Sequence, residues 1–173
     1  PKYIGPNQKE LLTLLDASDP LHTSGSGDLR DGIGGNIWSR RGVVTDVVDD
    51  GVKCFNMDAG YLDITSGAGT LGQYYTQFYL WKPRSSNSGF RTLYRCSVDH
   101  QAIVNSGSRS LGYYSNYAGG FLSVSHDIDI DWQTLIVTSS GFSTSTFYGT
   151  STFYVNGVNV GSVPRASSGE TLL

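Results

Sequence analysis

Apolar and polar positions along this chain alternate in short runs, with a period of two rather than the helical 3.6. Val43–Val48 and Val52–Met57 flank Asp50-Gly51, a dipeptide that predicts a hairpin when it sits between β-branched runs. Thr152–Val155 and Val158–Val163 flank Asn156-Gly157, whose residues supply the positive φ angles of a type I′ turn. Between the two hairpins the pattern predicts a strand at Tyr61–Ile64 after a turn at Gly60. Phe78–Trp81 reads as the most apolar strand, ended by Pro83. Arg91–Asp99 alternates and Gln101–Val104 continues it. Leu111–Tyr114 and Phe121–Ser125 are separated by a turn cluster from Asn116 to Gly120. Trp132–Thr138 has Trp132, Leu135 and Val137 as packing residues. The run Leu11–Leu15 reads either as a strand or as a short helix opened by Asn7 and Glu10. Asp16–Gly35 reads as a loop in which Pro20 forbids a continued helix.

Strands at this spacing, with no helices between them, predict an all-β sandwich or barrel and not a doubly wound sheet. No fixed-period repeat and no linker divides the chain, so one domain over residues 1–173 is expected. That length is sufficient for a sizeable core, and the 22 glycines fit a chain that turns often.

Charge narrows the function. Only 16% of residues are charged and the net charge is −3, so there is no basic face for nucleic acid. Arg40-Arg41 is the longest basic cluster and reads as a solvated pair. No apolar run approaches the roughly 20 residues of a membrane helix, so no membrane insertion is expected. Pro1–Glu10 lacks the apolar stretch of a secretory signal, which a mature extracellular protein would already have lost. No Asn-x-Ser/Thr acceptor for an N-linked glycan occurs. Cys54 and Cys96 allow either one bridge or two buried thiols; without Cys-x-x-Cys or paired-His spacing they do not read as a metal site.

Laid out in order, the segments resemble the laminin-G-like, or concanavalin A-like, jelly-roll domains. Leu15-Asp16-Ala17-Ser18-Asp19-Pro20 is similar to the family's opening Leu-Asp-Ala-x-x-Pro, and Asp31-Gly32-Ile33-Gly34-Gly35-Asn36 to the loop that follows. Cys54–Asp58 and Tyr61–Ile64 occupy the place of its phenylalanine and tyrosine strands. Phe78–Pro83 resembles the aromatic-x-x-Trp-x-x-Pro strand, Trp132–Thr138 the Trp-x-x-x-x-Val-Thr strand, and Phe153–Val158 the Tyr-Val-Asn-Gly hairpin. The resemblance implies an antiparallel jelly-roll β-sandwich. Family domains continue past this hairpin with closing strands, whereas here Thr171-Leu172-Leu173 would only begin the next one. The expectation is a longer chain, or a protein partner or neighbouring copy that docks at the C-terminal edge. Some relatives bind Ca²⁺ through loop oxygens, and calcium needs about six to eight of them. Calcium is therefore a candidate cofactor, with Asp49, Asp58 and Asp63 as candidate ligands if the fold gathers them; no other cofactor is expected.

Two constellations bear on chemistry. Asp127-Ile128-Asp129-Ile130-Asp131 would put three carboxylates on one face of a strand, and retaining glycoside hydrolysis needs two carboxyls about 5–5.5 Å apart. The bland reading is an acidic edge or turn, with Ile128 and Ile130 packed inward. Neither His22, His100 nor His126 accompanies a nucleophile elbow or a Cys–His pair. The second constellation is Tyr113, Tyr114, Asn116 and Tyr117, beside Asn/Ser/Gly loops. Tyrosine offers a flat apolar face with a polar tip, which suits carbohydrate or protein contact. The reading is a non-catalytic binding or assembly module, extracellular, on a cell surface or in a virion. It would serve adhesion, carbohydrate recognition, or a structural role in a surface or viral appendage. A glycan-active enzyme using the Asp row is the alternative.

Overall fold

The computed structural model describes residues 15–18, 28–31, 36–66, 70–71, 74–83, 89–95, 99–116, 120–140, 149–165 and 170–171. Among them every regular element is a β-strand and every strand pair is antiparallel. The chain is all-β, as the period-two pattern requires. The expectations for Leu11–Leu14, His22, Cys96 and Tyr117 lie outside the described residues. Two compact units are present, Pro1–Gly69 with Leu173, and Thr70–Leu172. The sequence shows no composition shift at that point.

The first unit holds β1 (Leu29–Arg30), β2 (Ile37–Asp49) and β3 (Val52–Ser66), in the order β1-β2-β3. Asp49 pairs with Val52 around Asp50 and Gly51, whose φ angles of 50° and 79° give the predicted two-residue turn. Tyr61–Ile64 is not a separate strand, because β3 runs straight through Gly60. A Cβ at Gly60 would lie 2.5 Å from the Arg41 carbonyl oxygen and 2.7 Å from that of Val43. This glycine therefore serves a close backbone approach beside a register shift, not a turn. The Asp31–Asn36 loop is closed by the Asp31 N–H bonded to the Asn36 carbonyl (3.1 Å) and by Asn36 Nδ2 donating to Asp31 Oδ2 (2.7 Å). That closure brings Leu29 opposite Trp38, and Trp38 opposite Ile64, as a buried row.

The second unit holds β4 (Thr70–Leu71), β5 (Tyr75–Trp81), β6 (Phe90–Arg95), β7 (His100–Asn105) and β8 (Ser110–Ser115). It continues with β9 (Gly120–Asp127), β10 (Gln133–Ser140), β11 (Gly149–Val155), β12 (Val158–Arg165) and β13 (Glu170–Thr171). One sheet is ordered β12-β11-β10-β5 and another β6-β7-β8-β9. The strand expected at Thr171–Leu173 is found at Glu170–Thr171, paired with β4. Asn156 and Gly157, at φ 49° and 80°, form the predicted hairpin turn between β11 and β12.

The two four-stranded sheets make the layers of a β-sandwich. Leu135, Val137, Phe153, Val155 and Val163 are buried from one, and Ala102, Val104, Leu111, Tyr113 and Val124 from the other. Gly161 of β12 lies directly against Val124 of β9. In β10 and β11 buried and half-buried positions alternate strictly, with Leu135 and Val137 inward as expected. Trp132 precedes β10 and is only half-buried.

Two strand assignments are corrected. Arg91–Asp99 and Gln101–Val104 are not one continued strand, since the chain reverses between β6 and β7 and Arg95 pairs with His100. Phe78–Trp81 is a strand, but Phe78 and Leu80 are 64% and 54% exposed. The pairing of Tyr79 with Leu135 and of Gln77 with Val137 turns the odd-numbered positions of β5 inward and sends Phe78 and Leu80 out.

Gly112 gives a test of the β8–β9 approach. A Cβ there would run into the Leu122 carbonyl oxygen, a backbone atom that cannot yield. Gly112→Ala is expected to lower stability by about 1–3 kcal/mol. Gly107→Ala, whose nearest neighbour is Asn105 Oδ1 at 3.4 Å, should change it far less. Urea unfolding midpoints of the two variants decide.

Candidate functional site

The start of β7 and the end of β8 are tied by one buried carboxylate. Asp99 is fully buried. Its Oδ1 accepts the Asn116 backbone N–H at 2.7 Å, and its Oδ2 accepts the Tyr113 hydroxyl and, at 3.4 Å, the Ser115 hydroxyl. The pairing of His100 with Tyr114 places Asp99 beside Ser115, which brings these donors within reach. A carboxyl group buried this deeply is tolerated because several donors replace its lost water. Tyr113, expected at a ligand surface, has 0% exposure and is a core residue that anchors this node. Alternation along β8 put it inside.

The same alternation puts Tyr114 outside. It pairs with His100 on one side and with Phe121 on the other, so the three side chains share the outer face of their sheet. The His100 and Tyr114 ring centroids are 5.7 Å apart, with planes at 82°. Phe90 meets Tyr114 at 5.6 Å and 69°, and Phe121 at 5.1 Å and 68°. All three contacts are edge-to-face, the geometry in which the positive edge of one ring meets the negative face of another. Phe90 remains 46% exposed, while Tyr114, Phe121 and His100 are half-buried. The His100 Nδ1 atom lies 2.7 Å from Thr92 Oγ1, which fixes the imidazole against the cluster. Asn116 is exposed at the end of β8, with its backbone held by Asp99. Of the expected ligand residues, Tyr114 and Asn116 therefore reach the surface, Tyr113 does not, and Tyr117 lies outside the described residues.

Phe90, Phe121 and His100 belong to this face without having been singled out in the sequence. Phe121 and His100 follow once the β7–β8 and β8–β9 registers are known. Phe90 arrives by a contact between rings that no local pattern announces.

The acidic row does not assemble as a catalytic pair. The strand ends at Asp127, so Asp129 and Asp131 sit in the bend before β10. Asp129 Oδ1 accepts the Ile130 N–H and Asp131 Oδ1 the Trp132 N–H, each at 2.7 Å. These are local turn bonds. The bend is held from outside its own carboxylates. Arg109 Nε donates to the Ile128 carbonyl at 2.8 Å, and Gln133 Nε2 donates to the Asp129 carbonyl at 3.1 Å. Ile128 is buried as expected, but Ile130 is exposed, because the strand alternation assumed for it has already ended.

The suggested calcium ligands do not converge either. Asp49 ends β2, and Asp63 on β3 lies opposite Ser39, ten positions back along β2. At about 3.3 Å per residue that separation is on the order of 30 Å. Asp58 lies between them along β3, and Asp63 is paired with Arg41 at 3.3 Å. Among the described residues no group of three or more His, Cys, Asp or Glu side chains could hold a metal ion. No family model, no curated protein and no solved structure matches this chain.

Asp99→Ala leaves the Tyr113 hydroxyl and the Asn116 N–H without their acceptor, and is expected to cost about 2–4 kcal/mol of folding stability. Asp99→Asn keeps one acceptor oxygen and should cost less. Thermal or urea unfolding of the two variants compares them, and equal losses would assign the effect to packing alone.

Proposed function

We propose that this chain is a non-catalytic binding module of the laminin-G-like jelly-roll type, extracellular or virion-associated. Its ligand lies on the aromatic face made by Phe90, Tyr114, Phe121 and His100. The reading is carried by one observation: a half-exposed edge-to-face aromatic cluster on one sheet face, backed by a fully buried Asp99 node. A surface meant only to be wetted has no need of three aromatic rings fixed against one another.

A carbohydrate suits this face best. The C–H faces of a sugar ring stack on aromatic rings, and the rim offers Thr92, His100 and Asn116 for hydroxyl recognition. No carboxylate or guanidinium belongs to the ring cluster, which favours a neutral ligand over a charged one. Adhesion and attachment of a surface or viral appendage are roles that such a module serves. Asp129 and Asp131 are engaged with their own bend, and nothing on this face resembles a pair of opposed carboxyls.

A glycan array identifies the ligand class, and calorimetry on the best glycan measures it. Phe90→Ala and Tyr114→Ala are each expected to weaken binding at least tenfold, about 1.4 kcal/mol. Asp129→Asn should leave affinity unchanged. A glycan bound equally well by the wild type and by both ring variants would move the site elsewhere. A blank array would rule out the carbohydrate reading and favour an assembly role.

A further inference from the structure

We infer that this chain pairs with a second copy of itself through the outer edge of β5, joining two four-stranded sheets into one continuous sheet about a two-fold axis at Phe78. Among the described residues no strand pairs with that side of β5. Thr134 directs both of its backbone groups toward β11. Its N–H donates to Asn156 Oδ1 at 2.9 Å, and its carbonyl accepts the Asn156 N–H at 3.0 Å. Backbone groups alternate sides along an antiparallel strand, so Gln133, Leu135, Val137 and Ser139 direct theirs toward β5. Their partners Trp81, Tyr79, Gln77 and Tyr75 are thereby used on β10. Thr76, Phe78 and Leu80 then present their N–H and C=O groups outward, on a strand that ends the sheet.

This edge lacks the devices that protect the others. From Tyr75 to Trp81 there is no charge, proline or glycine, and the pairing with β10 runs without a bulge. By contrast, β6 carries Arg91 and Arg95 with two register shifts. The edge strand β12 carries Pro164 and a bulge, and β9 ends on His126 and Asp127 with a shift of its own. A long, flat, uncharged edge is a template for another strand.

β5 turns Tyr75, Gln77, Tyr79 and Trp81 inward and presents Phe78 and Leu80, 64% and 54% exposed, on its outer face. Outward, Phe78 stands level with Ile136 and Tyr154 in one row across three strands.

A second copy fits this edge better than an unrelated peptide because the strand is complementary to itself. With the axis at Phe78, that residue meets its own counterpart, Thr76 meets Leu80, and Leu80 meets Thr76. These are the three outward-bonding positions. No like charges come together. The row Tyr154–Ile136–Phe78 is thereby doubled into six side chains on one face. Such an isologous contact closes on itself as a dimer.

Light scattering on the full chain over a range of concentrations is expected to show a species of twice the 18.7 kDa monomer mass. Phe78→Glu puts like charges on the axis and should weaken association at least tenfold, with circular dichroism confirming an intact fold. A second readout does not depend on that variant. In a hydrogen-bonded antiparallel pair the Cα atoms are about 5.5 Å apart, within disulfide reach. Phe78→Cys should therefore form a disulfide-linked dimer on mild oxidation, whereas Thr76→Cys and the wild-type chain should not. A chain that stays monomeric at every concentration and gives no Phe78→Cys dimer overturns the proposal. So does a dimer that is indifferent to Phe78→Glu and gives no such cross-link.

Discussion

Each strand must send its alternate side chains to opposite faces, and everything else in the second unit follows from which set β10 and β11 turn inward. Leu135, Val137, Phe153 and Val155 are the inward set. Their burial fixes the register of the sheet, because a slip of one residue would expose all of them at once. Removing that much aliphatic and aromatic surface from water is the largest favourable term available to a chain with so few charges. The register is then passed to β5 by pairing, whatever suits β5 itself.

The opposite sheet solves a different problem. Its core includes Tyr113, a ring that brings a hydroxyl inside, and a buried hydroxyl needs an acceptor. Asp99 provides one, and the same carboxylate also holds the turn after β8 through Asn116. One buried polar group therefore does two things: it satisfies the core, and it fixes the backbone from which Tyr114 projects. The position of Tyr114 in the aromatic face is set from beneath it. That is why a surface cluster here depends on an interior residue that no ligand could touch.

Much of this was legible in the residues. Asp50-Gly51 and Asn156-Gly157 announced their hairpins because few other dipeptides tolerate two positive φ angles in succession. The strict alternation of β10 marked Leu135 and Val137 as core. Where reading failed, the deciding facts were long-range. Gly60 looks like a turn and is a close backbone approach, which depends on Arg41 and Val43 across the hairpin. The reversal between Arg95 and His100 carries none of the usual punctuation, since Cys96-Ser97-Val98 contains no Gly, Pro or Asn. Of Tyr113 and Tyr114, one had to be core and the other surface, but which is which depends on the register of β8. The acidic row suggested a strand face because its own alternation is clean, yet the strand ends at its first member.

Buried polar atoms without hydrogen-bond partners lie along the inner face of the β12-β11-β10-β5 sheet: Gln77 Nε2, Trp81 Nε1, Gln133 Oε1 and, on β11, Ser151 Oγ. Each such group gives up its bond to water for nothing in return, at about 1–3 kcal/mol. Exchanging the faces of β5 would bring Phe78 and Leu80 inside and put Gln77 outside, but it would also expose Tyr75, Tyr79 and Trp81. The pairing of β5 with β10 is, moreover, uninterrupted across seven residues, from Tyr75 to Trp81. Moving it by one position would break that ladder or carry the whole strand out of step. The inward aromatic residues and the unbroken ladder therefore fix the orientation of β5 together, and Phe78 and Leu80 are left on its outer face.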